Sequence, residues 1–257
     1  MRRALRWDRL VPKPLSHVAV AEVLETSSVR RRRRRVVGAT ALAGAGLLGA
    51  SLSTRPGSRE FYLSTASVAG VWTVGGLASG PLHRGWIENR DATLRRPVLT
   101  PVATGVAAFG LFYAAALVAR RVPVLGEAVA RVLRFADEGD DRLVLATTLA
   151  NGVGEEVFFR GALYAVLGDR SPVLSSTAVY AVATSTTRNP ALVLAAGVMG
   201  TLFGLQRRAS GGIQAPLITH ATWSALMLRF LPPLFRGRGL SLGSVRAVSS
   251  VGRAPDF

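Results

Sequence analysis

Hydrophobic positions along this chain fall into long uncharged blocks rather than short alternating runs. Val36–Ser53 is eighteen residues without a charge. Further apolar blocks follow at Phe61–Gly80, Val98–Ala119, Leu143–Leu167, Pro172–Thr187, Ala191–Gln206 and Ala209–Leu228. Blocks of about 20 apolar residues match the thickness of a bilayer at the helical rise per residue. The pattern predicts an all-α fold, a polytopic transmembrane helical bundle of six to eight membrane helices. Gly, Ala, Ser and Thr recur in every block, and small residues let membrane helices approach closely. The blocks at 172–187 and 191–206 are sixteen residues each, short for a full span and expected to tilt, kink or shelter behind neighbours. Pro123–Phe135 reads instead as an amphipathic helix.

Charge sharpens this picture. The 257 residues carry 32 Lys plus Arg against 15 Asp plus Glu, a net charge of +17, yet 49% of positions are hydrophobic and only 18% charged. Mean hydropathy is positive, at +0.31, so the charges must be segregated from the apolar sequence. Arg30–Arg35 is an unbroken run of six arginines directly before the first apolar block. That is the positive-inside arrangement, and it predicts a multi-pass protein of the cell membrane with a cytoplasmic N-terminus. Membrane lipid is then the first partner. A nucleic-acid arm is not expected to lead straight into so apolar a helix, and a twin-arginine export signal would not explain the later blocks. Seven spans from a cytoplasmic N-terminus place the tail after Leu228 outside, yet that tail holds Arg229, Arg236, Arg238, Arg246 and Arg253. Either one block does not span or the amphipathic segment dips into the membrane. The organisation expected is a basic tail over 1–35, N-terminal membrane helices and the amphipathic connector over 36–142, a core over 143–231 and a basic tail over 232–257. The two ends carry no strong periodicity and are expected to be mobile or surface-bound. With no cysteine, disulfides, thiolate nucleophiles and cysteine-ligated metals are excluded.

One block contains charges that an apolar segment should not have. Asn151-Gly-Val-Gly-Glu155-Glu156-Val-Phe-Phe-Arg160 sits between uncharged stretches, and ionisable groups in such a place normally face a bundle interior and act there. Glu156 and Arg160 are four residues apart and share a helix face, so the arginine can neutralise and hold Glu156. Glu155 points about 100° away and shares its face with Asn151. Two carboxylates and one guanidinium leave one acid uncompensated, and Glu155 is therefore the candidate general base. The bland alternative is an ion pair that locks two helices, with the second acid wet at an interface. Gly152 and Gly154 allow another backbone or a water-filled cavity close by. His220 is the only histidine in any apolar block. Pro216 one turn earlier is expected to kink its helix, and Ser224 lies one turn later on the same face. Such a histidine can donate to an oxyanion, bind a metal or shuttle a proton.

Glu155-Glu156-Val-Phe-Phe-Arg160 followed by His220 resembles the CAAX-protease and bacteriocin-processing (CPBP, or Abi) family of intramembrane proteases, over about Leu143–Leu228. The stretch Gly204–His220 resembles that family's last motif region. The resemblance implies an intramembrane endopeptidase, metalloprotease-like and of bacterial type, acting on a membrane-associated peptide or protein. It implies Glu155 as the base that activates water, Glu156 and Arg160 as its supporting pair, and His220 as the last-motif histidine. The family's middle motif reads Phe-x-x-x-His, and Tyr180-Ala-Val-Ala-Thr184 is its counterpart here, with Thr184 in the histidine position. Ser224 takes the position of the family's last asparagine. Asn151, Thr184 and Ser224 complete the expected site. A divalent metal such as zinc would have only Glu155 and His220 as candidate ligands; a metal-free glutamate base needs neither a metal nor the missing histidine, with His220 and Ser224 or Thr184 steadying the oxyanion. Two further readings stay open: a catalytically impaired scaffold or immunity-type protein of the same fold, and a proton-relay transporter.

Overall fold

A computed structural model describes residues 27–88, 93–168 and 171–236; most of both expected basic tails lies outside these residues. The described chain is almost entirely helical. Helix α1 (Ser27–Ser51) leads to α2 (Arg59–Ser79), and a short hairpin follows in which β1 (Ile87–Glu88) pairs antiparallel with β2 (Leu94–Arg95). Then come α3 (Leu99–Ala119), α4 (Pro123–Asp137) and α5, which is α-helical over Asp141–Glu155, π-helical over Glu156–Leu163 and α-helical again over Tyr164–Leu167. Helices α6 (Pro172–Ser185), α7 (Pro190–Ser210) and α8 (Gln214–Phe230) close the bundle, with a 3-10 turn at Pro232–Leu234.

The helix boundaries follow from local chemistry. Ser58, Asp140 and Asn189 cap α2, α5 and α7 by accepting hydrogen bonds from otherwise unpaired first-turn amides. Proline opens α4, α6 and α7, where its missing N–H costs nothing. The arginine run is not a flank before α1: it forms the first turns of that helix. Three expectations from the sequence are corrected. The apolar block 209–228 is not one span, because Gly211 adopts a left-handed φ of 70° and ends α7, so that α8 starts afresh at Gln214. Pro216 therefore lies in the first turn of α8 and kinks nothing. The block at 191–206 belongs to a helix of 21 residues, not a short segment.

Helices other than α4 run alternately between two ends of the bundle. At the basic end, Arg33 of α1 lies against Gly80, just after α2, and the 81–98 loop packs over the α7–α8 turn: Trp86 N–H donates to Ser210 O, and Ile213 and Gln214 N–H donate to His83 and Arg84 carbonyls. At the opposite end, Thr186 after α6 bonds Ala45 of α1, Tyr62 of α2 bonds the Asp140 amide, and Asn189 donates to Ala128 O of α4. The amphipathic α4 lies across this second end.

Polarity is arranged inside out. Leu42, Val74, Leu111, Val182 and Leu194 are exposed on the outer surface, whereas Glu156, Arg160, Gln206 and Thr219 are buried. A soluble protein would reverse this, and a bilayer rewards it. Helices α2, α3 and α7 are long and apolar enough to cross a membrane by length and composition. A central aromatic cluster of Trp72, Phe158 and Phe159 with Val37, Val68 and Leu163 locks α5 against α1 and α2.

Candidate active site

The unusual charges meet in the middle of the bundle. Glu156 and Arg160 are both 0% exposed, with Arg160 Nη1 3.3 Å from Glu156 Oε1, as their spacing predicts. The same carboxylate oxygen is 2.9 Å from Nδ1 of His220 on α8. Glu156 thus holds two cationic or donor groups rather than one, and His220 is fixed by a partner 64 residues away in sequence. Its ring stacks on Phe203 of α7 at 4.8 Å between centroids. Arg160 is held further by the faces of Tyr180 at 4.7 Å and Phe203 at 5.0 Å.

This cluster coincides with the π-helical stretch of α5. A π-turn carries one extra residue, widens the helix and is frequently found at functional positions. Phe158, Phe159, Arg160 and Ala162 are all essentially buried here, so every side of the helix is covered. Arg207 near the end of α7 donates from Nε to the Arg160 carbonyl at 2.9 Å. In a wide turn a carbonyl is less well served by its own helix, and this side chain supplies a partner.

Glu155 faces the other way, as expected, toward a cavity of about 270 Å³. Asn151, Gly152, Tyr180, Thr184, His220 and Ser224 line the same space. The structure therefore gathers every predicted residue outside the Glu156–Arg160 pair around one void. Tyr180 donates its hydroxyl to Glu155 Oε2 at 2.5 Å. That contact was not anticipated from the sequence; the signal that could have found it is a phenol in an apolar helix, four residues before Thr184. Thr184 donates back to the Tyr180 carbonyl at 2.8 Å, so its proton is engaged within its own helix. Asn151 donates to Thr147 O at 2.9 Å and Thr65 O at 3.3 Å, while its Oδ1 is buried without a protein partner.

Glycine matters at two positions on α5. A β-carbon on Gly152 would sit 3.5 Å from His220 Nε2, in ordinary contact, so this ring nitrogen borders the cavity wall. A β-carbon on Gly154 would lie 2.8 Å from the Ala69 carbonyl, which is backbone and cannot yield cheaply. Gly154 thus sets the close approach of α2 to α5. Gln206 and Thr219 form a second buried link, with Gln206 Nε2 2.8 Å from Thr219 Oγ1 and that hydroxyl donating to Pro101 O at 3.0 Å. It ties α7, α8 and α3 beside His220.

The donor set does not fit a zinc ion. Among the described residues no three His, Asp or Glu side chains are grouped to hold a metal. Glu156 Oε1 is already engaged by His220 and Arg160. Glu155, His220 Nε2 and the unpartnered Glu156 Oε2 remain, and these are not grouped as the three protein ligands of a catalytic zinc site.

Residues 142–226 match the family model described as type II CAAX prenyl endopeptidase Rce1-like. The match spans about a third of the chain and contains every residue of the cluster. No curated protein and no solved structure matches the chain.

Proposed function

With an Rce1-like core of the CAAX-protease type as the premise, we propose that the protein is an intramembrane endopeptidase in which Glu155 activates water for attack on a peptide bond of a membrane-associated substrate. The supporting observation is a carboxylate without a cationic hydrogen-bond partner at the wall of a cavity inside a helical membrane bundle, beside a histidine whose far nitrogen is already anchored. Glu155 takes a proton from water while the resulting hydroxide attacks the carbonyl carbon. Its hydrogen bond to Tyr180 holds one carboxylate oxygen and leaves the other to the water. Glu156 orients His220 through Nδ1, so Nε2 is the nitrogen available to the reacting group; carrying a proton, it donates to the developing oxyanion. Arg160 does not touch the cavity and acts by holding Glu156. The tetrahedral intermediate collapses when the leaving amine takes the proton from Glu155, which returns the carboxylate.

The test is cleavage of a panel of single-span membrane peptides by the purified protein in lipid. Wild type is expected to cleave, and Glu155→Ala to be inactive while still inserting and folding; cleavage by that variant at the wild-type rate would overturn the reading. One observation favours the impaired-scaffold reading instead. Thr184 directs its hydroxyl back to its own helix, so the middle-motif position offers no donor to substrate. Under that reading wild type cleaves nothing and co-purifies with a stable membrane partner.

A further inference from the structure

Three threonine hydroxyls on the cavity wall are spent on carbonyls three or four residues back. Thr147 donates to Leu143 O at 2.7 Å, Thr184 to Tyr180 O at 2.8 Å and Thr187 to Thr184 O at 2.7 Å. Thr65 of α2 differs. Its Oγ1 is buried without a protein partner, and so is Oδ1 of Asn151 on α5. Both residues line the cavity and they meet there, with Asn151 Nδ2 3.3 Å from Thr65 O. A buried donor or acceptor left unpaired costs about 1–3 kcal/mol, so two on one stretch of wall call for a reason.

The amide of Asn151 has only one way to face. Its Nδ2 donates to two carbonyls, Thr147 O at 2.9 Å and Thr65 O at 3.3 Å; reversing it would set Oδ1 against both oxygens, acceptor against acceptor. Oδ1 is therefore held as an acceptor, and Thr65 Oγ1 beside it is a hydroxyl able to donate. A donor and an acceptor side by side match the main chain of one extended residue, whose N–H and C=O point to the same edge of a strand. The space suits such a guest better than a single water. The cavity measures about 270 Å³, against about 30 Å³ for a water molecule and roughly 300 Å³ for the smallest ligand pockets. Leu48, Val132, Leu133 and Met199 make much of the remaining wall apolar.

We propose that Asn151 and Thr65 form a main-chain recognition site for an extended apolar peptide: Asn151 Oδ1 accepts the N–H of one residue, and Thr65 Oγ1 donates to the C=O of the same residue. A backbone released from helix inside a membrane needs partners of this kind. Because the site reads main chain rather than side chains, it selects segments that have left the helix and tolerates many sequences. Asn151 is one helical turn before Glu155, about 6 Å along α5, which an extended chain covers in about two residues. The residue held there is accordingly about two positions from the bond that Glu155 addresses. That distance rests on the peptidase reading; the recognition itself does not.

The test is equilibrium binding, in micelles, of a fluorescent apolar decapeptide of Leu, Val and Ala to the full-length Glu155→Gln protein, so that nothing is cleaved. The peptide is resynthesised with one main-chain amide at a time replaced by an ester, which deletes an N–H and weakens the adjoining carbonyl as an acceptor. Two neighbouring esters are expected to weaken binding about 3- to 10-fold each, one hydrogen bond apiece. Asn151→Ala should abolish the response to the first, and Thr65→Val, which keeps both anchors of the Asn151 amide, the response to the second. Absence of peptide binding, a flat ester scan, or responses unchanged in both variants overturns the proposal. Where Asn151→Ala does not fold, the scan on Thr65→Val decides alone. Cleavage by the native chain beside a flat scan keeps the peptidase reading without this site; the expected scan with no cleavage keeps the site without the peptidase.

Discussion

Replacing Arg160 by methionine removes the guanidinium that faces Glu156 while keeping most of its volume. Both residues are completely buried, so the carboxylate left behind has no water to turn to. Breaking a buried pair by deleting one partner costs about 3–5 kcal/mol, because a charge stays unpaired in a medium that solvates it poorly. Two contributions move that figure. Arg160 also loses its positions over Tyr180 and Phe203, each worth about 0.5–2 kcal/mol. In the other direction, His220 still binds Glu156 Oε1 at 2.9 Å and compensates part of the loss. The expected cost stays within about 3–5 kcal/mol, against roughly 1 kcal/mol for a typical substitution. The assay is equilibrium unfolding in mixed micelles, followed by helical circular dichroism. The second arm is the double variant Glu156→Gln with Arg160→Met. If the unpaired charge carries the penalty, the double variant recovers about 1–3 kcal/mol relative to Arg160→Met alone. A single variant costing under about 1 kcal/mol, or a double variant that is simply the sum of the two singles, would refute the claim that the pair is buried and coupled.

Three further outcomes are expected. Tyr180→Phe removes a hydrogen bond to a charged acceptor, worth about 1.5–3 kcal/mol, and should slow peptide cleavage about 10- to 100-fold in kcat with the fold intact; wild-type kcat would show that the contact plays no part in the reaction. Thr184→Ala should leave the rate unchanged and lower stability by at most about 1 kcal/mol, since its hydroxyl serves the Tyr180 carbonyl; a large loss of kcat would mean that the hydroxyl turns to the substrate. Gly154→Ala should destabilise by about 1–3 kcal/mol through its clash with the Ala69 carbonyl, whereas Gly152→Ala has room and should unfold no more easily than wild type. Equal midpoints for the two alanine variants would contradict the packing of α2 on α5.

Much of the arrangement was legible because it is local. The apolar blocks announce membrane helices through length and the absence of charge. Glu156 and Arg160 meet because four residues bring side chains onto one helix face, and Glu155 turns with Asn151 toward the cavity for the same reason. Helix ends were less legible. The single apolar block 209–228 hides the break at Gly211, since Ala209, Ser210 and Gly212 are as uncharged as the span that follows and only the left-handed backbone marks the turn.

What the amino-acid sequence determined by itself is the class of fold, the local pairing on α5 and the small set of polar residues able to do chemistry. Tertiary structure decided which of them touch. Glu156 takes His220 as well as Arg160, and Glu155 takes Tyr180 rather than Thr184. The physical reason is range. Helical periodicity reaches across one or two turns, while the contacts of 64 and 25 residues' separation arise only when α5, α6 and α8 pack together around the glycines and aromatic rings that set their distance.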